Sequence, residues 1–145
     1  MTATALRAVE AANAELYAAF EAGDIDRMSA LWADSDDIVC IHPGGPIVRG
    51  RGLVLRSWSV IMANTTYIQF FLTDLEIGIV GDVAVVTCAE NILTATDDAE
   101  VESFAHPGRV VATNVFRRTS GRWRLLVHHG SPVFTQDTEG DGASE

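Results

Sequence analysis

Residues 38 to 46 read Ile-Val-Cys-Ile-His-Pro-Gly-Gly-Pro: an apolar run that ends on a histidine, directly before a turn. An imidazole changes charge near neutral pH, with a reference pKa of ~6.5. A pocket that disfavours charge keeps the ring neutral, and a neutral ring at His42 is a competent general base for removing a proton beside a carbonyl. The alternative is a structural histidine bonded to a turn carbonyl. Three further histidines are less suggestive. His128 and His129 are adjacent in a strand-like stretch, so they face opposite ways. Shared parity with Leu125, Val127 and Ser131 predicts His129 inward. His106 falls in a polar connection. No Cys or His cluster has ligand spacing, so no metal is expected. "GGPIVRGRG" (44–52) lacks the strand, helix and lysine of a phosphate loop. No Ser/His/Asp nucleophile set can be argued from spacing.

These residues need elements to position them. Leu6, Val9, Asn13, Leu16, Tyr17 and Phe20 recur at spacings of three and four, the apolar face of a helix. Gly23 can end that helix and Asp24 can cap the next, which carries Ile25, Met28, Leu31 and Trp32 on one side. The strand over 38–42 follows, then the Pro43–Pro46 turn and a short returning strand. A third helix shows Val54, Leu55, Trp58, Ile61 and Met62. Trp32 and Trp58 are core residues that can also line a cavity. Past Asn64 four long stretches, 67–80, 82–95, 109–120 and 122–133, are rich in β-branched and aromatic residues. Gly81 and Gly121 mark tight turns between them. Parity puts Val110, Ala112, Asn114 and Phe116 on one strand face. Helices followed by antiparallel strands imply an α+β fold.

Bulk composition narrows the function. The chain has 145 residues, enough for one domain with a sizeable core. A net charge of −10 would repel nucleic acid. No apolar run approaches the ~18 residues of a membrane span. Cys40 and Cys88 sit in apolar runs and read as buried thiols of a cytoplasmic protein. Residues 1–135 read as a single domain. Residues 96–108 read as a polar mobile loop and 136–145 as an acidic disordered tail.

Three stretches carry a family resemblance: "LYAAFEAGDIDRMSALWAD" (16–34), "DIVCIHPGGPIVRGR" (37–51) and "NVFRRTSGRWRLLVHHGSP" (114–132). Together with the order of elements, they resemble the SnoaL-like, ketosteroid-isomerase-like branch of the nuclear transport factor 2 (NTF2-like) superfamily. The resemblance runs from about Ala3 to Val133. It implies a cone: three N-terminal helices packed on a curved antiparallel sheet, enclosing a pocket. It also implies homodimers formed through the outer sheet face. The helix-one tyrosine of ketosteroid isomerases matches Tyr17. Their carboxylate base before a proline is replaced by His42, and their late-strand acid by Asn114. Tyr17 can donate one hydrogen bond and Asn114 two, and each donor aimed at an enolate oxygen can contribute about 3 kcal/mol to catalysis. Trp32, Trp58, Phe20, Phe116 and His129 are the expected substrate-binding residues.

Two functions fit this reading. One is a cofactor-independent isomerase, cyclase or dehydratase that acts on a small apolar carbonyl compound with His42 as base. The other is a non-catalytic ligand-binding or oligomerisation module. The last strand also resembles that of the association domain of calmodulin-dependent kinases, which oligomerises.

Overall fold

Local capping chemistry fixes where the helices begin and end. A computed structural model of the chain describes residues 2–95 and 108–134; the polar connection with His106 and the acidic tail lie outside the described residues. Helix α1 (Ala3–Ala22) starts where the Thr2 hydroxyl accepts the Ala5 amide at 3.0 Å. It ends at Gly23, whose φ of 63° is the left-handed conformation that glycine adopts without strain. Asp24 then accepts the Asp26 and Arg27 amides at 3.1 Å each and opens α2 (Ile25–Leu31). Strands β1 (Val39–Ile41) and β2 (Ile47–Arg49) form a short hairpin across the Pro43–Pro46 turn. Helix α3 (Arg51–Ala63) follows. Strands β3 (Tyr67–Val80), β4 (Val83–Ala95), β5 (Gly108–Thr119) and β6 (Arg122–Pro132) complete the domain.

The six strands lie in the order β2-β1-β6-β5-β4-β3. Every pairing is antiparallel except β1 with β6, which is parallel. That one parallel contact refines the expected antiparallel sheet. It brings the first strand beside the last and sets Cys40 level with His128. The helices cover one sheet face and leave the other open. Ala84, Val86, Cys88 and Glu90 of β4 and Val110, Ala112, Asn114 and Phe116 of β5 are buried beneath them. Val85 and Val111, one residue out of step, are 42 % and 48 % exposed on the outer face. Helices α1 and α2 pack on β6, and α1 also packs on β3. Trp32, Trp58, Phe116, Leu16, Met28, Ile38 and Leu125 fill the space between the layers.

Two bulges bend the sheet and invert side-chain parity. On β3 the pairing slips between Thr73 and Glu76, and Asp74 adopts a positive φ of 55°. The inward residues are Phe70 and Leu72 before the slip and Leu75, Ile77 and Ile79 after it. On β6 Leu126 is the extra residue: Val115 faces Val127, but Phe116 faces Leu125. Leu125 and then His128 are buried, whereas His129 is exposed. The expectation that His129 points inward is therefore corrected. A strict period of two carried Leu125's parity past a residue where the strand gains a half-step.

Arg51 stitches the helix layer together. Its guanidinium donates to the Trp32, Ala33 and Ser29 carbonyls and to the Ser29 hydroxyl, at 2.9–3.0 Å. These are the chain's exits from α2, whose last carbonyls have no helical partner. Charge-assisted bonds of this kind are the stronger ones. Replacing Arg51 by Ala should cost about 2 kcal/mol or more of stability. The loss should appear as a lower urea midpoint with an unchanged slope. An unchanged midpoint would show that the stitch contributes nothing.

Candidate functional site

A polar chain runs through the buried face where α1 meets the sheet. Register places Cys40, His128, Asn114, Val86 and Ile77 side by side across five strands on the inward face. Asn114 sits in the middle, fully buried, below Asn13 and Tyr17 one turn apart on α1. Its Nδ2 donates to Asn13 Oδ1 at 2.8 Å and to the Tyr17 hydroxyl at 3.1 Å. Both amide hydrogens are then used. Tyr17 passes its own proton on, donating to Glu90 Oε2 at 2.6 Å. Asn114 Oδ1 can only accept, so His128 Nδ1, 2.6 Å away, carries the proton. His128 is therefore the Nδ1–H tautomer, with its Nε2 lone pair free. The Asn13 Nδ2 is left without a partner of hydrogen-bonding geometry, although the Cys88 thiol feels its dipole.

Burial sets the charge states of this chain. His128 is pushed down to about 3, first by desolvation and then by His42 and His129, so it is neutral in ordinary conditions. Glu90 is pushed up to about 7 by desolvation, with the Tyr17 hydrogen bond opposing. Tyr17 is raised by desolvation and by Glu90, and its hydroxyl stays protonated.

His42 stands just past the end of β1, half-buried, its backbone carbonyl accepting the Gly45 amide in the turn. Its ring meets Trp58 edge-on at 4.7 Å and lies 6.5 Å from the His128 ring. Nε2 is 2.9 Å from the Ser57 hydroxyl, and Ser57 donates its single proton to the Val54 carbonyl at 2.7 Å. The hydroxyl is thus left to accept, and Nε2 of His42 must be the protonated nitrogen. That leaves Nδ1 as the unprotonated nitrogen, with the Cys40 Sγ 4.0 Å away. Burial lowers the pKa of His42 and keeps the ring neutral. The Cys40 thiol, pushed up to about 12 by burial, lies beside the ring as a protonated neighbour.

Tyr17 and Asn114 touch each other, and His128 links them towards His42. The concavity that His42 lines is a separate groove of about 620 Å³ between the β1–β2 hairpin and α3. Ser57, Ile47, Val48, Leu53, Val60 and Ile61 border it with Arg49 and Arg56, and Tyr17 and Asn114 are not among its walls. Trp58 is 2 % exposed and packs against His42, His128 and Phe20. Phe20 also meets Phe70 at 5.3 Å. Trp32 and Phe116 are fully buried on either side of Leu125, as core. His129 faces a second concavity, of about 540 Å³, on the outer sheet face.

The chain as a whole matches a known family. A SnoaL-like domain model matches residues 9–135. The chain belongs to the SnoaL-like family. Among solved structures it is similar to an NTF2-like protein of Streptomyces avermitilis for which dehydratase activity has been suggested. That likeness has 47 % identity and a TM-score of 0.82, over 91 % of this chain and 98 % of that one. It is also similar to a Thiobacillus denitrificans protein assigned provisionally to the association domain of calcium/calmodulin-dependent protein kinase type II. There the identity is 32 % and the TM-score 0.75, over 86 % and 94 % of the two chains. The F-box protein SKIP8 of Arabidopsis thaliana is 27 % identical over 92 % of this chain. The chain spans about half (53 %) of that relative's length.

Sequence reasoning on this SnoaL-like chain missed Glu90, His128, Ser57 and the pairing role of Asn13. Glu90 carried a usable signal. It is the lone carboxylate in the inward alternation Ala84, Val86, Cys88, Glu90. Its titration gives a stability prediction. An ordinary glutamate ionises near 4.5, whereas folded Glu90 holds its proton to about 7. Stability from the protonated form is complete below about 4.5, falls as pH rises towards 7, and is gone above. Glu90→Gln cannot ionise. The stability difference between variant and wild type should swing by about 3 kcal/mol in the variant's favour between pH 4 and 8. Urea melts across that range test it, and a pH-independent difference refutes it.

Proposed function

We propose that this SnoaL-like protein is a cofactor-independent enzyme acting on small, largely apolar carbonyl compounds, with His42 as general base. One observation carries the proposal: the Ser57–Val54 relay fixes the Nε2–H tautomer of a neutral His42 beside an apolar groove and leaves Nδ1 unprotonated, with the weak donor Cys40 Sγ 4.0 Å from it. A fixed tautomer with an unprotonated nitrogen is what proton abstraction needs. Dehydration of a β-hydroxy ketone fits best, and the suggested activity of the Streptomyces avermitilis relative favours it. His42 takes the proton next to the carbonyl, and the carbon–carbon double bond forms as the β carbon–oxygen bond breaks. The imidazolium returns the proton to the departing hydroxide, so water leaves and His42 is regenerated. Tyr17 and Asn114 have their donor hydrogens committed within the buried chain. We assign them to holding His128, and with it the wall behind Trp58, rather than to the substrate oxygen.

The benzaldehyde–acetone aldol, a β-hydroxy ketone, is a suitable probe. Its dehydration can be followed by the absorbance of the conjugated enone, and its proton exchange by NMR in deuterium oxide. His42→Ala should lower both rates about 10²-fold or more. The melting temperature should change little. A variant that is strongly destabilised yet turns over normally would make His42 a structural residue.

A second reading concerns assembly. Phe71, Val85 and Val111 are 51 %, 42 % and 48 % exposed on the outer sheet face, around the concavity that His129 lines. A twofold-related copy is the simplest cover for such a face. The likeness to the association-domain protein supports self-association. Light scattering at micromolar concentration should give a dimer mass, and Val111→Glu should shift it to the monomer. A wild-type monomer at that concentration would count against self-association.

A further inference from the structure

The groove at His42 carries two cations that the proposed proton abstraction does not use. All ten basic residues of the chain are arginines, in a protein of net charge −10. Several are already engaged: Arg27 with Glu15, Arg109 with Asp74, Arg51 with carbonyls, and Arg118 over the Trp123 ring. Arg49 and Arg56 make no ion pair or hydrogen bond with any described residue, yet both border the groove. Their placement follows from the local periodicities. Ile47 and Arg49 share one face of β2, two residues apart. Leu53, Arg56, Ser57 and Val60, at successive spacings of three, one and three, fall on one face of α3. Each wall of the groove therefore offers one guanidinium next to apolar side chains. Ile47, Leu53 and Val60 are 54 %, 62 % and 53 % exposed.

We infer that the ligand of this groove is an amphipathic carboxylate: a planar anionic head gripped by Arg49 and Arg56, with an apolar body along Ile47, Leu53 and Val60. Guanidinium forks match the two oxygens of a carboxylate and bind it with two parallel bonds. Both side chains are exposed, and an anion that reached them would gain charge-assisted bonds from both walls of the groove. Guanidinium forks also match a phosphate, but the apolar side chains beside them favour the less highly charged carboxylate head. The groove volume of about 620 Å³ suits a ligand of small-molecule size. The inference rests on the base reading above, in that the head and His42 would hold opposite ends of one substrate.

Calorimetric titration of the full chain with octanoate, octanamide and octyl phosphate tests it. Octanoate should bind about tenfold or more tightly than octanamide, and added salt should shrink the difference. The Arg49→Gln, Arg56→Gln double variant should bind the two equally. His42→Ala should keep the octanoate preference. Equal binding of acid and amide by wild type overturns the inference, and so does an octyl phosphate that binds more tightly than octanoate. The wild-type comparison needs no variant to fold. The base reading fails separately, if the aldol probe is turned over equally with and without His42.

Discussion

One buried amide holds the two layers of this protein together. Asn114 is fully enclosed, and it bonds α1 through Asn13 and Tyr17 and β6 through His128. An amide at that depth is costly unless it is paired. It is satisfied only if α1, β5 and β6 come into one register. The same requirement dictates every proton position around it. Asn114 gives both hydrogens to α1, so its oxygen must be filled by His128. His128 must therefore be the Nδ1–H tautomer, and Tyr17 must give its hydrogen to Glu90. A hydrophobic side chain at 114 would fill the volume without ordering anything, because dispersion has no direction.

The bulges decide what that ordered interior contains. The extra residue at Leu126 turns His128 inward and His129 out. It also matches His128 to Cys40 across the parallel β1–β6 pair, which fixes how close the end of β1 comes to the buried chain. His42 therefore sits 6.5 Å from His128, with Trp58 in contact with both. Two neutral imidazoles in one apolar neighbourhood oppose each other's protonation, since a first positive charge disfavours a second. Trp58 packs against both rings, and His42 borders the groove. The polarity of the site is thus divided. Behind the tryptophan a hydrogen-bonded chain runs from Glu90 through Tyr17 and Asn114 to His128, with Asn13 Nδ2 left over, and in front stands His42.

The element order was legible in the sequence, and the reasons are local. Gly23 and Asp24 announced their own conformations, and the apolar residues of α1 repeat at helical spacing without a break. The inward row on β5, Val110 to Phe116, also followed from simple alternation, because no bulge interrupts that strand before Phe116. The failure at His129 marks the limit of the same rule. Parity carries information only between bulges, and Leu125-Leu126-Val127 offers no residue type that signals one. Asp74 on β3 is different, since a positive φ is tolerated better by aspartate than by branched residues. The Glu90 partnership was invisible for another reason. A hydrogen bond across 73 positions depends on how far α1 is displaced along β4, and no periodicity encodes that.

The resemblance to ketosteroid isomerases implied one site for Tyr17, His42 and Asn114, and the structure puts His42 on a groove that the other two do not line. Tyr17 and Asn114 have no donor hydrogen to spare. Replacing an acid by Asn114 changes more than donor strength. A protonated acid has one hydrogen and points it at one acceptor, whereas an amide has two and must place both. Here both go to α1, and the position that would meet substrate oxygen becomes part of the scaffold. His42, whose Nε2 hydrogen meets Ser57, borders a groove walled by β2 and α3, and there we place the proposed chemistry. The same three positions thus carry a different site once their hydrogen bonds are counted, because each donor has a fixed number of hydrogens to give.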